Sequence, residues 1–238
     1  MALSFSAVLN GISGTIVLLI GMFYSISFLL MYRKKKLKLI PIVSLLAFCA
    51  GLIFLGVSSN FLSLVFTGNN LDKNTYGLLS YTIIPVATLV ALYLGFHIFK
   101  PKWKLQITIF YSILWVVYWV CIFFFTDSMF KDSTEVGVDL LDISLSSVVF
   151  YLTMFYVFSL LFVLSGGFFS LSRKFKKEDL NAPEIKYLNF LSLGWALFGI
   201  SSIIDSGAPV GIPVLIIIAR IMMCTAYILI FEGFKGAK

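Results

Sequence analysis

Residues 210–231 read VGIPVLIIIARIMMCTAYILIF and indicate the class of fold. A helix needs about 20 mainly apolar residues to cross a bilayer, and this run meets that length with Arg220 as its single charge. Further apolar runs of the same kind occupy 8–32, 39–59, 77–99, 105–126, 143–171 and 187–205. The sequence therefore predicts an all-α bundle of seven transmembrane helices, built as one domain over residues 1–238.

The overall composition also indicates a membrane protein. The 238 residues are 60% hydrophobic and 12% charged, with a mean hydropathy of +1.02. Soluble enzymes, nucleic-acid-binding domains and disulfide-rich secreted proteins do not have this composition and are excluded. Cys49, Cys121 and Cys224 all lie in apolar runs, which argues further against a disulfide framework. We expect a multi-pass integral protein of the cell (inner) membrane, surrounded by the lipid bilayer.

The basic residues predict the orientation of the chain. Fifteen of the eighteen lysines and arginines fall in the segments 33–38, 100–104, 173–186 and 235–238, which follow the odd-numbered spans. Cytoplasmic loops are enriched in lysine and arginine, so the carboxyl terminus is predicted to be cytoplasmic and the amino terminus outside. The net charge of +7 is then a consequence of topology, and we expect no nucleic-acid partner.

A short sequence pattern occurs twice. Residues 51–59 read GLIFLGVSS and residues 194–202 read GWALFGISS, in the second and sixth predicted spans. Small residues allow membrane helices to approach closely, so these two spans are predicted to be inner helices. The small residues assigned to this packing are Gly51, Gly56, Ser58, Ser59, Gly194, Gly199, Ser201 and Ser202.

Two interpretations of this pattern stay open. The first is an internal duplication, in which residues 1–104 and 143–238 form parallel halves and the helix over 105–126 connects them in a 3+1+3 arrangement. The second is that glycine and serine recur wherever membrane helices pack closely, without common ancestry.

Arg220 is the most informative single residue, because a guanidinium within the bilayer costs several kcal/mol unless it faces the bundle interior. Asp205, at the end of the sixth span, is the nearest acid by topology, and Asp142 is the next. Three roles are open: a structural arginine bound by hydroxyls and carbonyls, a site for an anionic ligand, or a gating ion pair. Cys224 and Tyr227 share its helical face and are assigned to the same candidate site.

The fourth span carries an aromatic stripe that includes Tyr111, Trp115, Trp119 and Phe123 on one helical face. Such a face could hold a flat apolar ligand by stacking, which makes Trp115 and Trp119 candidate ligand contacts. It could equally face lipid or a partner protein.

Enzymatic and cofactor sites are not predicted. His97 is the only histidine, and no cysteine or acid stands beside it at metal-ligand spacing. The sequence has neither a Ser/His/acid set at one depth nor a metalloprotease or phosphate-loop motif. The seventh span also lacks the lysine to which a retinal would be attached. We therefore expect no catalytic residue, no metal and no cofactor.

Residues 219–234, ARIMMCTAYILIFEGF, resemble the last span of the seven-helix membrane input modules of prokaryotic sensor proteins. In those proteins the module precedes a cytoplasmic kinase or output domain. The resemblance implies an input module, and a chain that ends soon after Phe234 is expected to signal through a separate partner. The 3+1+3 arrangement is also similar to that of SWEET and PQ-loop carriers, although the Pro-Gln pair of the latter is absent from this sequence.

These observations lead to three functional hypotheses. The leading one is a receptor-like or sensor-like protein that binds a small molecule or lipid near Arg220 and signals to a partner on the basic cytoplasmic face. The first alternative is a small-solute carrier with a site near the membrane midplane. The second is an accessory subunit of a larger membrane complex, bound through the aromatic faces.

Overall fold

The computed structural model describes residues 3–132, 140, 143–178, 182–207 and 213–236. Its helices are α1 (Phe5–Lys35), α2 (Ile40–Leu52), α3 (Leu55–Thr67), α4 (Lys73–Tyr81), α5 (Ile84–Phe99), α6 (Lys104–Phe124), α7 (Thr126–Met129), α8 (Ser147–Leu160), α9 (Gly167–Lys177), α10 (Ala182–Gly207) and α11 (Pro213–Lys235). A 3₁₀ turn, Pro101–Trp103, precedes α6, and a π-helical segment, Leu161–Gly166, joins α8 to α9. The strands are β1 (Phe130–Asp132) and β2 (Ile143–Leu145).

The helices form the predicted number of membrane spans. Within the described ranges, six stretches are long and apolar enough to cross a bilayer: α1, α4 with α5, α6, α8 with α9, α10 and α11. The pair α2 and α3 meets the same test when it is counted as one span bent by 41°. This confirms the prediction of an all-α bundle of seven membrane helices.

The ends of α1 follow from its sequence. The Ser4 hydroxyl accepts a hydrogen bond from the Ala7 N–H at 3.0 Å and caps the amino-terminal end. At the other end Lys36 adopts the left-handed conformation (φ 53°), and its N–H bonds to the Tyr32 carbonyl. The positive charge of Arg33, in the last turn, interacts favourably with the negative end of the helix dipole.

The second predicted span, 39–59, is corrected by the structure, because it is broken and longer. Its two helices meet at Ile53 and Phe54, where the Phe54 N–H bonds to the Gly51 carbonyl three residues back, and α3 continues to Thr67. No proline accompanies this break, whereas Pro85 lies in the first turn of α5 and accounts for the interruption between α4 and α5.

The fifth predicted span, 143–171, also needs correction at both ends. Residues 143–145 form β2 and pair antiparallel with β1, so that Leu145 lies opposite Phe130. The membrane helix therefore begins at Ser147 and, through the π-helical segment, reaches Lys177. The predicted connecting helix, 105–126, is observed as α6, which ends at Phe124.

Packing around α1, α2, α10 and α11 forms the largest apolar cluster of the protein. Fully buried side chains in this cluster include Val17, Leu46, Leu164 and Met223. By contrast, α6 is the least buried of the spans. Its exposed side chains, such as Ile113 and Val116, are large and apolar, as expected of a helix that faces lipid.

The four glycines of the repeated pattern all lie at close helix contacts. A Cβ at Gly51 would stand 3.1 Å from the Cα of Gly21 in α1, and one at Gly56 would meet Ser80 in α4. A Cβ at Gly194 would stand 2.8 Å from Ile230 in α11, and one at Gly199 would meet Leu161 in the fifth span.

These contacts are not equivalent in the two halves. In a parallel repeat, spans one, two and three correspond to spans five, six and seven. The first glycine of the pattern faces span one in the first half but span seven in the second, and the other glycine faces span three and then span five. The two copies of the pattern therefore contact spans that do not correspond to each other in a parallel repeat.

Three serines of the pattern bond to a carbonyl of the preceding turn. The Ser58 hydroxyl donates to the Phe54 carbonyl, and the Ser201 and Ser202 hydroxyls both donate to the Phe198 carbonyl. Ser58 and Ser201 are buried and Ser59 is partly buried. Such bonds satisfy hydroxyls inside a bundle without a partner from another helix.

Candidate functional site

The site lies where the carboxyl-terminal end of α10 meets the amino-terminal half of α11. Arg220 lies in the second turn of α11, and Asp205 lies two residues before the end of α10. The Arg220 Nη2 is 3.0 Å from the Asp205 Oδ1, with 6% of the arginine side chain and 21% of the aspartate side chain exposed. Of the two acids that the sequence nominated, Asp205 therefore pairs with Arg220, whereas Asp142 lies outside the described residues.

Arg220 also contacts the first and second spans. Its guanidinium carbon lies 4.1 Å from the ring centroid of Phe54, close enough for a cation–π interaction. Its Nη2 lies 3.5 Å from the Oδ1 of Asn10 in α1. One side chain thus connects α11 to α10, to α1 and to the break between α2 and α3.

Two nitrogens of this guanidinium lack partners. The Nε and Nη1 of Arg220 are buried and make no hydrogen bond to any described residue. Leaving a buried donor unsatisfied costs about 1–3 kcal/mol, and more for a charged group. The site therefore holds two buried donors that no described residue satisfies.

A polar cavity of about 110 Å³ adjoins Arg220. This volume can hold several waters or a small polar group. The buried Ser80 hydroxyl in its wall also lacks a partner among the described residues. The cavity is lined by Asn10, Ile53, Phe54, Val57, Tyr76, Ser80, Tyr81, Ile84, Asp205, Ser206, Ile216 and Arg220.

A second cavity, of about 70 Å³, lies on the other side of Asp205 and is almost entirely apolar. Trp195, Phe198 and Met223 contribute to its wall, and the Trp195 Nε1 finds no hydrogen-bond acceptor in the part of the chain that the structure describes. The residues common to both cavities are Ile53, Phe54, Ile84, Asp205 and Ser206. The combined site therefore has a polar end at Arg220 and an apolar end at Trp195.

The other predicted residues on α11 lie farther from this cavity. Tyr227 is buried, donates to the Ala47 carbonyl at 3.4 Å and stacks on Tyr24, with ring centroids 6.0 Å apart. Cys224 is partly buried and lies on the lipid side of α11. Neither side chain belongs to the lining of the two cavities.

The two candidate tryptophans of α6 are likewise apart from Arg220. The Trp119 Nε1 donates to the Thr82 carbonyl at 3.0 Å, and its ring packs edge-on against Trp115, with centroids 4.9 Å apart. Both rings lie outside the lining of the two cavities. The structure therefore places Trp119 in the contact between α6 and the third span, with Trp115 packed on its ring.

Three residues of the site were not nominated from sequence. Asn10 and Ser80 are polar residues inside apolar runs, which is a signal that sequence reasoning could have used. Phe54 carried no such signal, because a phenylalanine in an apolar run is ordinary, and only the break in the helix places it against Arg220.

His97 lies at the far end of α5 from the site. Its Nδ1 is 3.4 Å from the Nζ of Lys104, and its ring stacks on Tyr93. Across the described ranges, no three His, Cys, Asp or Glu side chains are grouped so that they could hold a metal ion.

Comparison with known proteins does not assign a family. No protein-family model and no curated protein matches this chain. Function is therefore inferred from the chemistry and geometry of the site rather than from ancestry.

Proposed function

We propose that this chain is a receptor-like membrane protein that binds a small molecule inside the bundle, at Arg220 and Asp205. The observation that carries this proposal is the buried guanidinium whose Nε and Nη1 lack partners beside a cavity of about 110 Å³. An arginine that only held helices together would be expected to donate all its hydrogen bonds to carbonyls and hydroxyls of neighbouring helices. Here two donors are left for a guest molecule.

The position of Arg220 also suggests how binding is transmitted. Its contacts reach Asp205 in α10, Asn10 in α1 and Phe54 at the helix break. A ligand that accepts a hydrogen bond from the guanidinium, or competes for Asp205, changes the relative stability of these helix contacts. Differential interaction with two arrangements is what allows a ligand to shift a conformational equilibrium.

The proposed output is on the opposite side of the membrane. The positive-inside rule assigns the carboxyl-terminal end of α9 to the cytoplasm of a cell (inner) membrane. This end presents four exposed basic residues, Arg173, Lys174, Lys176 and Lys177. Lys174 lies 3.8 Å from Glu178, and the guanidinium of Arg173 lies over the ring of Phe169. An acidic surface on a cytoplasmic protein partner would complement this cluster.

The proposal is for binding without catalysis. The lining of the two cavities, as far as the chain is described, contains no histidine, cysteine or lysine. Arg220 and Asp205 already neutralise each other, which suits recognition and a conformational response better than bond-breaking chemistry.

The test is native mass spectrometry of the chain released gently from its own membrane. We expect a stoichiometric small molecule on the natural chain and on Arg173→Gln, and its loss from Arg220→Gln. Arg173→Gln is the matched control, because it removes the same charge at an exposed position. Ser80→Val, which narrows the cavity and leaves the ion pair intact, is a second variant in case Arg220→Gln does not fold.

Two outcomes would overturn the proposal. One is a natural chain that carries no bound small molecule. The other is that Arg220→Gln and Ser80→Val both retain as much of the small molecule as the natural chain does. A stoichiometric protein partner without a small molecule would instead support an accessory subunit.

A carrier is the second candidate, because the second span breaks at Ile53 and Phe54, beside the paired charges. Discontinuous helices line the substrate sites of many carriers. Reconstitution into sealed vesicles separates the two functions. A receptor predicts no movement of the molecule found by mass spectrometry, whereas a carrier predicts uptake that Arg220→Gln abolishes.

A further inference from the structure

An apolar groove of about 340 Å³ runs between α1 and α11 on the outside of the bundle. Its walls include Ile12 and Ile16 of α1 and Ile221 and Ile228 of α11, all of which are exposed. In a membrane-embedded chain, an exposed apolar groove between two spans is open to lipid. A lipid chain can therefore lie in it.

Arg220 connects this groove to the interior. Among the described residues, it is the one side chain common to the lining of the groove and of the polar cavity. The guanidinium with its two unpartnered nitrogens therefore stands where a route from the bilayer meets the binding site. Both nitrogens are buried, so a guest that comes from the groove would meet them when the Arg220 side chain shifts, without crossing water.

The groove extends along α11 from Ile217 to Ile228, and its longer arm lies on the carboxyl-terminal side of Arg220. The helices α1 and α11 are parallel, since Asn10 lies near Arg220, Tyr24 stacks on Tyr227, and Lys35 bonds to the carbonyl of Lys235. Ile228 lies eight residues beyond Arg220, about 12 Å along the helix at 1.5 Å per residue. A chain bound with its head at Arg220 and lying in this arm would follow α11 past its middle at Cys224, as far as Ile228.

The charges of the site select the head group. Asp205 already neutralises Arg220, so a second carboxylate would leave an uncompensated buried negative charge, which is costly. In addition, a guanidinium binds a carboxylate bidentately either through Nε and Nη2 or through Nη1 and Nη2. Both arrangements use Nη2, which already binds Asp205. The free Nε and Nη1 each suit a single uncharged acceptor, such as a carbonyl oxygen.

We propose that the ligand is an uncharged single-chain amphiphile that reaches the site from the bilayer. Its carbonyl oxygen accepts hydrogen bonds from Arg220, and its chain lies in the groove between α1 and α11. This inference rests on the proposed function and names the class of its ligand.

The experiment uses a monoacylglycerol that carries a photoactivatable diazirine in mid-chain and a terminal alkyne. The full chain is placed in phosphatidylcholine nanodiscs, irradiated with the probe and digested, and the labelled peptides are identified by mass spectrometry. The matching fatty acid, kept ionised at alkaline pH, is the comparison probe. We expect the ester to label peptides of α1 and α11 and the acid to label them about tenfold less, the ratio of a 1.4 kcal/mol preference.

Three variants separate the groove from the donors. Thr225→Trp and Ile12→Trp fill the groove at exposed positions and leave Arg220 in place, and Arg220→Gln removes the donors. Each is expected to lower labelling about tenfold. Ile113→Trp adds the same ring at an exposed position on α6 and is expected to change nothing.

Each outcome has a definite meaning. If labelling is unchanged in Thr225→Trp and Ile12→Trp, the ligand does not enter through the groove. If the fatty acid labels these peptides more than the ester does, the head group is not uncharged. If neither probe labels the groove but native mass spectrometry still finds a small molecule that Arg220→Gln loses, this inference fails and the proposed function stands. If that dependence is absent as well, both fail.

Discussion

The guanidinium carbon of Arg220 lies 4.1 Å from the ring centroid of Phe54, the residue that immediately precedes α3. The charge of the seventh span is therefore in contact with the break in the second. Because the same guanidinium binds Asp205 at 3.0 Å, a movement of α11 changes its contacts with α10 and with the break together. This shared contact is the physical basis for a bundle that responds to an interior ligand.

The ion pair between Arg220 and Asp205 is expected to stabilise the bundle. Removing one partner of a buried pair leaves the other charge uncompensated and costs about 3–5 kcal/mol. The partial exposure of Asp205 places Arg220→Gln and Asp205→Asn toward the lower end of that range. The double variant should be less destabilised than the sum of the two. Detergent-induced unfolding measures all three free energies, and single variants within about 0.5 kcal/mol of the natural chain would contradict this role.

The contact between α1 and α2 is predicted to tolerate no side chain. A Cβ on Gly21 would stand 2.6 Å from the Cα of Gly51, so Gly21→Ala must separate the two backbones and should cost about 1–3 kcal/mol. Gly166→Ala is the matched control, since a Cβ there meets nothing within 4 Å. Thermal unfolding of both variants tests the prediction. Equal stability of the two would show that the close approach does not limit packing.

A buried amide is expected to hold the loop between α3 and α4. Asn60 is fully buried, accepts from the Leu71 N–H at 2.7 Å and donates to the Asn70 Oδ1 at 3.1 Å. Asn60→Leu keeps the size but removes both bonds, and should cost about 1–3 kcal/mol in unfolding free energy. Asn69→Ala, at an exposed position of the same loop, should change stability little. A comparable loss in both variants would assign the effect to the loop as a whole.

Asp72 is predicted to make the start of α4 sensitive to acid. Hydrogen bonds from the Thr75 hydroxyl and the Thr75 N–H lower the pKa of this carboxyl below its usual value. Its contribution to stability is therefore present above the pKa of the unfolded chain, about 3.9, and is lost as pH falls through the lower folded value.

Asp72→Asn isolates this effect, because asparagine also caps helices but does not titrate. The natural chain should lose its advantage over the variant as pH is lowered below about 4. The measurement is the difference in unfolding free energy between the two chains as a function of pH. A difference that does not depend on pH would contradict the prediction. The exposure of Asp72 keeps the expected difference small.

The parts of the fold that follow from apolar length could be predicted from sequence. Each run of about 20 apolar residues forms a span, because a helix satisfies the hydrogen bonds of its own backbone N–H and C=O groups inside hydrocarbon. The break at Ile53 and Phe54 could not, since no proline marks it and the residues directly on both sides, Leu52 and Leu55, are apolar. The strand at Ile143–Leu145 was taken as helix for the same reason, because a short apolar run suits either structure.

The candidate site was predictable only where charge marked it. Arg220 and Asp205 stand out because charges in spans are costly, and topology made Asp205 the nearest acid. Trp115 and Trp119 were predicted as ligand contacts from their spacing on one face of α6, but the structure places Trp119 against the third span, with Trp115 packed on its ring. Phe54 depends on how the second and seventh spans meet, which no local pattern records. Ser80 is a polar residue in an apolar run, but serine is common where membrane helices pack, so it is a weaker signal than a charge.

The most direct test of the central claim is an experimental density map of the chain purified with its own lipids. We predict density within hydrogen-bonding distance of the Nε or Nη1 of Arg220, in the polar cavity beside Ser80, that continues into the groove between α1 and α11. A map that shows only separate water molecules at both nitrogens, with the groove occupied by lipid that does not reach Arg220, would contradict it.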